Sequence, residues 1–147
     1  MSVLRMEHIG IVVDDMPDAI EFFLAVGLEL DGEASVEGAT VDSITGLEGV
    51  HSDIAMLRTP DGGTQLELAK FRSPAYEGTD DPAPPSNAPG IRHILFAVDD
   101  IHATVERLQA LGAELVGELE RYGNSYWLCY VRGPQGIIVE LAEKVGT

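Results

Sequence analysis

The chain has 147 residues, a length that fits one domain or two small halves that share a core. Its 25 acidic residues outnumber its 9 basic ones, and the formal net charge of −16 opposes binding to nucleic acid. The sequence has no apolar run of about 18 residues and no basic leader, so we expect a soluble protein without membrane contact. The single cysteine, Cys129, excludes an internal disulfide and suits a reducing cytoplasm, which is the predicted location.

The first part of the chain has the pattern of a strand, a helix and three further strands. Val3–Val13 is rich in Val and Ile, which favour strands. Asp15 and Pro17 then predict the start of a helix, and Gly27 predicts its end. Three strands are predicted after this helix: Leu28–Glu37, Ser52–Arg58 and Thr64–Phe71. The irregular insertion Gly38–His51 is predicted to be a lid or binding loop, and a tolerated insertion without a function is the alternative.

The second part of the chain repeats this pattern after a linker, residues 73–90, which contains five prolines. Asp100 can cap a second helix that closes at Gly112, at the same distance from His93 as Gly27 is from His8. The strands predicted after that helix are Glu114–Arg121, Ser125–Arg132 and Ile137–Glu143. The sequence therefore predicts an α+β fold of two tandem βαβββ modules, residues 1–72 and 91–147.

Each module carries one histidine and one glutamate at matching places. The phrase "EHIGIVVDD" at the first strand becomes "RHILFAVDD" in the second module, and "QLELAK" near the end of the first becomes "VELAEK". A lone histidine in an apolar strand is usually a core residue, and a lone glutamate there usually faces solvent. Because side chains alternate between the two faces of a strand, however, each module has one His and one Glu among apolar neighbours. Burying an unpaired carboxylate in such surroundings costs free energy. The candidate set is His8, Glu67, His93 and Glu140.

Two imidazoles and two carboxylates suit one divalent metal ion of intermediate hardness. Nickel, zinc, cobalt, manganese and iron all accept these ligands, so the identity of the metal stays open. The equivalence of the two modules would bring the four side chains together if the modules are related by a pseudo-twofold axis. We therefore predict one metal site built from both halves of the chain.

Paired βαβββ modules with His8, Glu67, His93 and Glu140 at these strand positions resemble the vicinal oxygen chelate superfamily. That family includes glyoxalase I, methylmalonyl-CoA epimerase, fosfomycin- and bleomycin-resistance proteins and extradiol dioxygenases. The resemblance covers nearly the whole chain and implies two curved mixed sheets that form a cupped, partly closed cavity around the metal, completed either within one chain or across a dimer. The His–Glu–His–Glu set is most similar to glyoxalase I, because methylmalonyl-CoA epimerases tend to have glutamine at the place of Glu67.

The resemblance implies a metal-dependent lyase or isomerase that abstracts a proton next to a chelated carbonyl, with Glu140 or Glu67 as the base. Two alternatives stay open. One is a small-molecule binding or resistance protein of the same fold. The other is an extradiol-type iron dioxygenase, although a fourth protein ligand would occupy a position that oxygen chemistry needs. The expected partners are a small-molecule substrate and a second copy of the chain in a homodimer.

Other residues with functional chemistry have weaker patterns. His51 ends the insertion and is a candidate for substrate contact, whereas His102 begins the second helix and is expected to be solvated. Tyr126 and Tyr130 alternate with Trp127 in a strand, so one set could line the cavity while the other packs under a helix. Cys129 is predicted to be buried and unreactive. The arginines are too few for a phosphate-rich substrate site.

Overall fold

The computed structural model describes residues 2–146. The chain divides into two compact units, Met1–Thr79 and Asp80–Thr147, and the division falls within the proline-rich segment 73–90. Each unit contains a strand, a helix and three further strands in the predicted order. The prediction of an α+β fold with two βαβββ modules is therefore confirmed. Within residues 2–146, every helix is too short or too polar to cross a membrane.

The first unit is a four-stranded mixed sheet with one principal helix on it. Its elements are β1 (His8–Val12), α1 (Met16–Val26), β2 (Glu29–Glu37), α2 (Ala39–Thr45), β3 (His51–Arg58) and β4 (Gln65–Ser73). Strand β1 pairs in parallel with β4, β4 pairs antiparallel with β3, and β3 pairs antiparallel with β2. Helix α1 begins and ends as predicted, because the Asp15 carboxylate accepts a hydrogen bond from the Asp18 N–H at 3.0 Å and Gly27 adopts a positive φ.

The second unit repeats the same sheet order. Its elements are β5 (His93–Ala97), α3 (Ile101–Ala110), β6 (Glu120–Tyr122), β7 (Tyr126–Arg132) and β8 (Ile138–Lys144). Strand β5 pairs in parallel with β8, β8 pairs antiparallel with β7, and β7 pairs antiparallel with β6. The Asp100 carboxylate caps α3 by accepting a hydrogen bond from the Ala103 N–H at 3.0 Å.

Each sheet has one face against its helix and a second, more exposed face. In β4, Leu66 and Leu68 are buried on the helix side, where α1 contributes Phe23, which is fully buried. In β8, the equivalent side chains Val139 and Leu141 are fully buried on the side of α3. Because strand residues alternate between faces, Glu67 of β4 and Glu140 of β8 lie on the opposite face; in β8 that face also carries Ile138, which is fully buried.

Two strands are shorter in the structure than the sequence pattern predicts. Strand β1 begins at His8 rather than Val3, because its pairing with β4 starts opposite Gln65 and residues 3–6 are exposed. The predicted strand Glu114–Arg121 is reduced to β6 and a single bridge between Leu115 and Val131. Next to the bridge, the Val116 N–H donates a hydrogen bond to the Tyr130 carbonyl at 2.8 Å. The bridge nevertheless stays isolated and does not extend into a strand.

The insertion Gly38–His51 is also more regular than predicted, since it contains the short helix α2. Gly38 and Gly46 flank the helix with positive φ angles, which glycine adopts without a steric cost. The Asp42 carboxylate accepts hydrogen bonds from the Gly49 N–H at 3.0 Å and the Val50 N–H at 2.8 Å. One side chain of α2 therefore holds the returning end of the insertion in place.

We expect Asp42→Ala to loosen the insertion without unfolding the sheet. The substitution removes the acceptor for two backbone N–H groups, one of them on buried Val50, at a local cost of about 1–2 kcal/mol. Amide hydrogen exchange should then become faster at residues 46–50 and stay unchanged in β3 and β4. The control is Glu48→Ala, in the same loop at an exposed position. Equal protection in both variants would contradict this role of Asp42.

Candidate metal site

The first unit places one predicted ligand pair together on the open face of its sheet. His8 begins β1, and Glu67 lies in β4 opposite Gly10, two residues farther along β1. Both side chains therefore share a face, and the His8 Nε2 and Glu67 Oε2 atoms are 3.5 Å apart. The imidazole is 45% exposed and the carboxylate 28% exposed, so both are accessible to solvent.

The second unit repeats this pair at the same register. His93 begins β5, and Glu140 lies in β8 opposite Leu95, again two residues farther along. The His93 Nε2 and Glu140 Oε1 atoms are 3.4 Å apart. The imidazole is 44% exposed and the carboxylate 16% exposed. The structure thus brings each predicted histidine to its predicted glutamate within its own unit.

Both pairs have the chemistry and spacing of metal ligands. Imidazole nitrogen and carboxylate oxygen bind a divalent ion at about 2.0–2.2 Å, so two such atoms on one ion lie roughly 3.0–3.5 Å apart. The His8–Glu67 and His93–Glu140 distances fall at the upper end of that range. The residues therefore fit the two ligands that each unit is predicted to supply.

Beside the first pair runs a polar network that the sequence pattern did not indicate. The Gln65 amide donates to the Asp31 carboxylate at 2.8 Å, and the Arg58 guanidinium lies 3.4 Å from the same carboxylate. Arg58 also donates to Glu29 at 3.1 Å. Two carboxylates therefore lie against Arg58, and their negative charges offset the positive charge of its guanidinium.

Beside the second pair lies an aromatic ring. The centroids of the His93 and Tyr130 rings are 5.3 Å apart with an interplanar angle of 32°. Trp127, which points to the other face of β7, contacts His102 of α3 at 5.2 Å between ring centroids. The aromatic residues of β7 are therefore divided between the two faces as the alternation indicated, with Tyr130 on the side of His93.

The remaining histidine of the first unit has an ordinary surface setting. The His51 Nδ1 lies 3.5 Å from a carboxylate oxygen of Glu37, its partner across β2 and β3. Nearby, hydrogen bonds from the Ser35 hydroxyl and the Arg72 guanidinium hold the pKa of the Asp53 carboxyl below its usual range. Substrate contact by His51 stays a prediction.

A second cluster of possible ligands lies at the start of α3, where Asp100, His102 and Glu143 have ligand atoms within 4.8 Å of one another. Helix capping accounts for its two carboxylates. Asp100 accepts from the Ala103 N–H, and Glu143 accepts from the Ile101 N–H at 2.8 Å. His102 is exposed, as predicted, and its ring meets that of Trp127 at an interplanar angle of 80°. This cluster stabilises the end of a helix on the side of the sheet away from Glu140.

Cys129 is buried in β7, as predicted. Burial raises the pKa of its thiol to about 11, so the reactive thiolate is rare at neutral pH. We assign it no part in the site.

Comparison with known proteins places these features in a family. The family model described as glyoxalase/bleomycin resistance protein/dioxygenase superfamily matches residues 5–141. A glyoxalase family protein from Bacillus cereus is 45% identical over 99% of this chain and 97% of its own, with a TM-score of 0.94. The chain belongs to the glyoxalase/bleomycin resistance protein/dioxygenase superfamily.

More distant structures share the fold. A glyoxalase I mutant from Zea mays is 19% identical, with a TM-score of 0.67, over 97% of this chain and 45% of its own. An antibiotic-binding protein from Streptomyces is 20% identical, with a TM-score of 0.61, over 98% of each chain. A comparison with curated proteins returned no significant match. Proteins with different tasks thus share this architecture, and the residues of the site have to distinguish between them.

Proposed function

We propose that this protein is a metal-dependent lyase or isomerase that abstracts a proton next to a substrate carbonyl. The proposal rests on one observation, the His–Glu pair that recurs at the same register in both units with N···O distances of 3.5 and 3.4 Å. His8, Glu67, His93 and Glu140 would hold one divalent ion. Such an ion, when bound, polarises a carbonyl oxygen and stabilises the negative charge that develops on it.

The two carboxylates supply the acid–base chemistry in this proposal. Glu67 or Glu140 takes the proton from the carbon next to the carbonyl; the electron pair of the broken C–H bond forms a C=C bond, and the π electron pair of the carbonyl moves onto its oxygen. In an isomerisation the same carboxylate returns the proton to the neighbouring carbon, whereas in an epimerisation the other carboxylate delivers a proton to the opposite face of the same carbon. No oxidant or reductant is needed for either outcome.

The substrate class follows from the charges near the first pair. Arg58 is neutralised by Asp31 and Glu29, and the chain carries an excess of acidic residues. An uncharged substrate with two neighbouring oxygens, such as a hemithioacetal of a 2-oxoaldehyde, therefore suits the site better than a phosphorylated one. A homodimer and a cytoplasmic location also belong to this proposal.

Proton exchange with solvent tests the proposed reaction. Protein loaded with nickel, zinc, cobalt, manganese or iron(II) is incubated in D₂O with the hemithioacetal of methylglyoxal and an uncharged thiol such as 2-mercaptoethanol, or with an epimerisable acyl thioester of the same thiol. We expect deuterium at the carbon next to the carbonyl with at least one metal, and a rate at least about 100-fold lower after chelation. Glu67→Gln/Glu140→Gln should also lose the exchange.

Two results would replace the proposed function. Tight binding of a small molecule to wild-type protein, without exchange or turnover under any metal, would favour a binding or resistance protein. Oxygen consumption with a catechol by the iron-loaded protein would favour a ring-cleaving dioxygenase.

A further inference from the structure

Part of the proline-rich segment between the sheets is bound to the second unit. Residues 81–90, which we call the strap, belong to that unit. Two short turns give the strap a defined conformation. The Ala83 N–H donates a hydrogen bond to the Asp81 carboxylate at 2.9 Å, and the Ala88 N–H donates to the Pro85 carbonyl at 3.0 Å. The strap is therefore more than a flexible connection between two folded units.

One end of the strap is bound at the turn between β7 and β8. Arg132, the last residue of β7, donates from Nη1 to the Pro84 carbonyl at 2.8 Å and to the Gly136 carbonyl at 3.0 Å. Gly136 lies directly against the strap. A Cβ built on Gly136 overlaps the Pro82 carbonyl oxygen and lies 3.0 Å from the Pro82 carbonyl carbon. This close approach of two backbones therefore requires a residue without a side chain at position 136.

The other end of the strap is bound at the start of β5. The Arg92 guanidinium donates from Nε to the Ala88 carbonyl at 3.1 Å and from Nη2 to the Pro89 carbonyl at 2.8 Å. The Arg92 carbonyl in turn accepts a hydrogen bond from the Ile138 N–H at 3.1 Å. Arg92 thus joins the strap to the sheet, and His93 follows it as the first residue of β5.

The histidine of the first unit lacks this arrangement in the part of the chain that the structure describes. Residues 2–7, which precede His8, are exposed. In this segment the Arg5 guanidinium pairs with Glu7 at 2.6 Å, and the Thr64 hydroxyl donates to a main-chain carbonyl at 3.1 Å. The two histidines therefore have the same register in their sheets, but the segments that precede them are held differently.

We infer that the strap positions His93 in the metal site. Because the strap is bound to the β7–β8 turn and to Arg92, it fixes the start of β5 before an ion binds. The imidazole then loses little freedom when it binds the ion. Arg92, Arg132 and Gly136 are accordingly positioning residues, which act on the ion through His93. This inference rests on the proposed metal-dependent function.

Two glycine variants test whether the strap can be displaced. Gly136→Ala places a methyl group against the Pro82 carbonyl, and Gly62→Ala is the matched control in the turn between β3 and β4. The φ angles of the two glycines are 75° and 74°, so alanine has the same backbone cost at both. Around a Cβ built on Gly62, the described residues beyond its chain neighbours leave 4 Å of open space. Amide exchange at Ala88 should become at least about tenfold faster in Gly136→Ala alone.

Nickel affinity tests whether the strap acts on the metal site. In competition with a chelator, Gly136→Ala should bind nickel about 10–100-fold more weakly than wild type, the range for residues that orient a ligand. Gly62→Ala should bind it as tightly as wild type. The visible absorption of the cobalt-loaded protein should also change in Gly136→Ala alone. Circular dichroism confirms folding, and Arg132→Met, which removes the donor to Pro84, serves as the second variant.

A double-mutant cycle tests whether the effect passes through His93. In a His93→Ala background, Gly136→Ala should change nickel affinity by less than about twofold, whereas in a His8→Ala background the loss should remain at least about tenfold.

Four results would overturn the inference and leave the proposed function standing. The first is a strap that exchanges as slowly in Gly136→Ala as in wild type. The second is an unchanged nickel affinity in spite of faster exchange. The others are an equal loss of affinity in Gly62→Ala, and an equal loss in the His93→Ala background. Wild-type protein that takes up no metal would remove the proposed function and this inference with it.

Discussion

Replacing His8 and His93 together by alanine is expected to abolish metal binding. In the proposed site the two imidazoles supply half of the protein ligands, one from each unit. Even substitutions outside the ligand shell weaken metal binding by about 10–100-fold, so removal of two ligands should exceed about 100-fold. Mass spectrometry of nickel-loaded protein should give about one ion per wild-type chain and less than a tenth of that in the variant.

The chain offers a matched control for this experiment. His51 and His102 are its two other histidines, and His51→Ala/His102→Ala removes the same number of imidazoles, including the one beside Asp100 and Glu143. This control should keep its metal. Metal loss in the control alone would move the site to the start of α3. Two ions per wild-type chain, with one lost in each single variant His8→Ala and His93→Ala, would mean that each unit binds its own ion.

Truncation of Phe23 is expected to have the largest effect on stability. Its side chain is fully buried on α1, and its ring meets that of Phe22 edge to face at 5.1 Å between centroids. Phe23→Ala removes these contacts and leaves a cavity, at a cost of about 3–5 kcal/mol in the free energy of unfolding. Urea unfolding followed by circular dichroism measures the change.

The adjacent residue is the natural control for Phe23. Leu24 lies on the same helix but is 44% exposed, so Leu24→Ala should cost about 1 kcal/mol or less. Similar losses in the two variants would contradict the assignment of Phe23 to the core. A loss confined to the first unit, seen as a separate unfolding step, would show in addition that the two units unfold independently.

The repeat made most of the fold predictable. The matched spacing from each histidine to the glycine after its helix, with an aspartate cap in between, predicted both helices and their ends. Alternation in "QLELAK" and "VELAEK" correctly separated Glu67 and Glu140 from the buried leucines beside them. These features are local in sequence, and a pattern with period two or 3.6 reports them directly.

The predictions that were wrong concern segments whose structure depends on contacts with distant parts of the chain. Val3 and Leu4 have strand-like composition, but β4 pairs with β1 only from Gln65 onwards, so they stay exposed. The sequence pattern did not predict helix α2, because its residues include Thr, Val and Ile, which favour strands. The ordered structure of the insertion depends instead on the hydrogen bonds that the Asp42 carboxylate accepts. The contacts of Tyr130 with His93 and of Gln65 with Asp31 join different strands, and no spacing along one strand could reveal them.

The way the insertion leaves and rejoins the sheet has a consequence for engineering. Glu37 and His51 are direct partners across β2 and β3, so the segment between them begins and ends at adjacent points. The second unit closes the equivalent gap with a turn between Tyr122 and Tyr126, which are also direct partners. The insertion can therefore be replaced by a short hairpin turn without a change in the register of the two strands. For the same reason it can be transferred to the equivalent turn of another member of the superfamily.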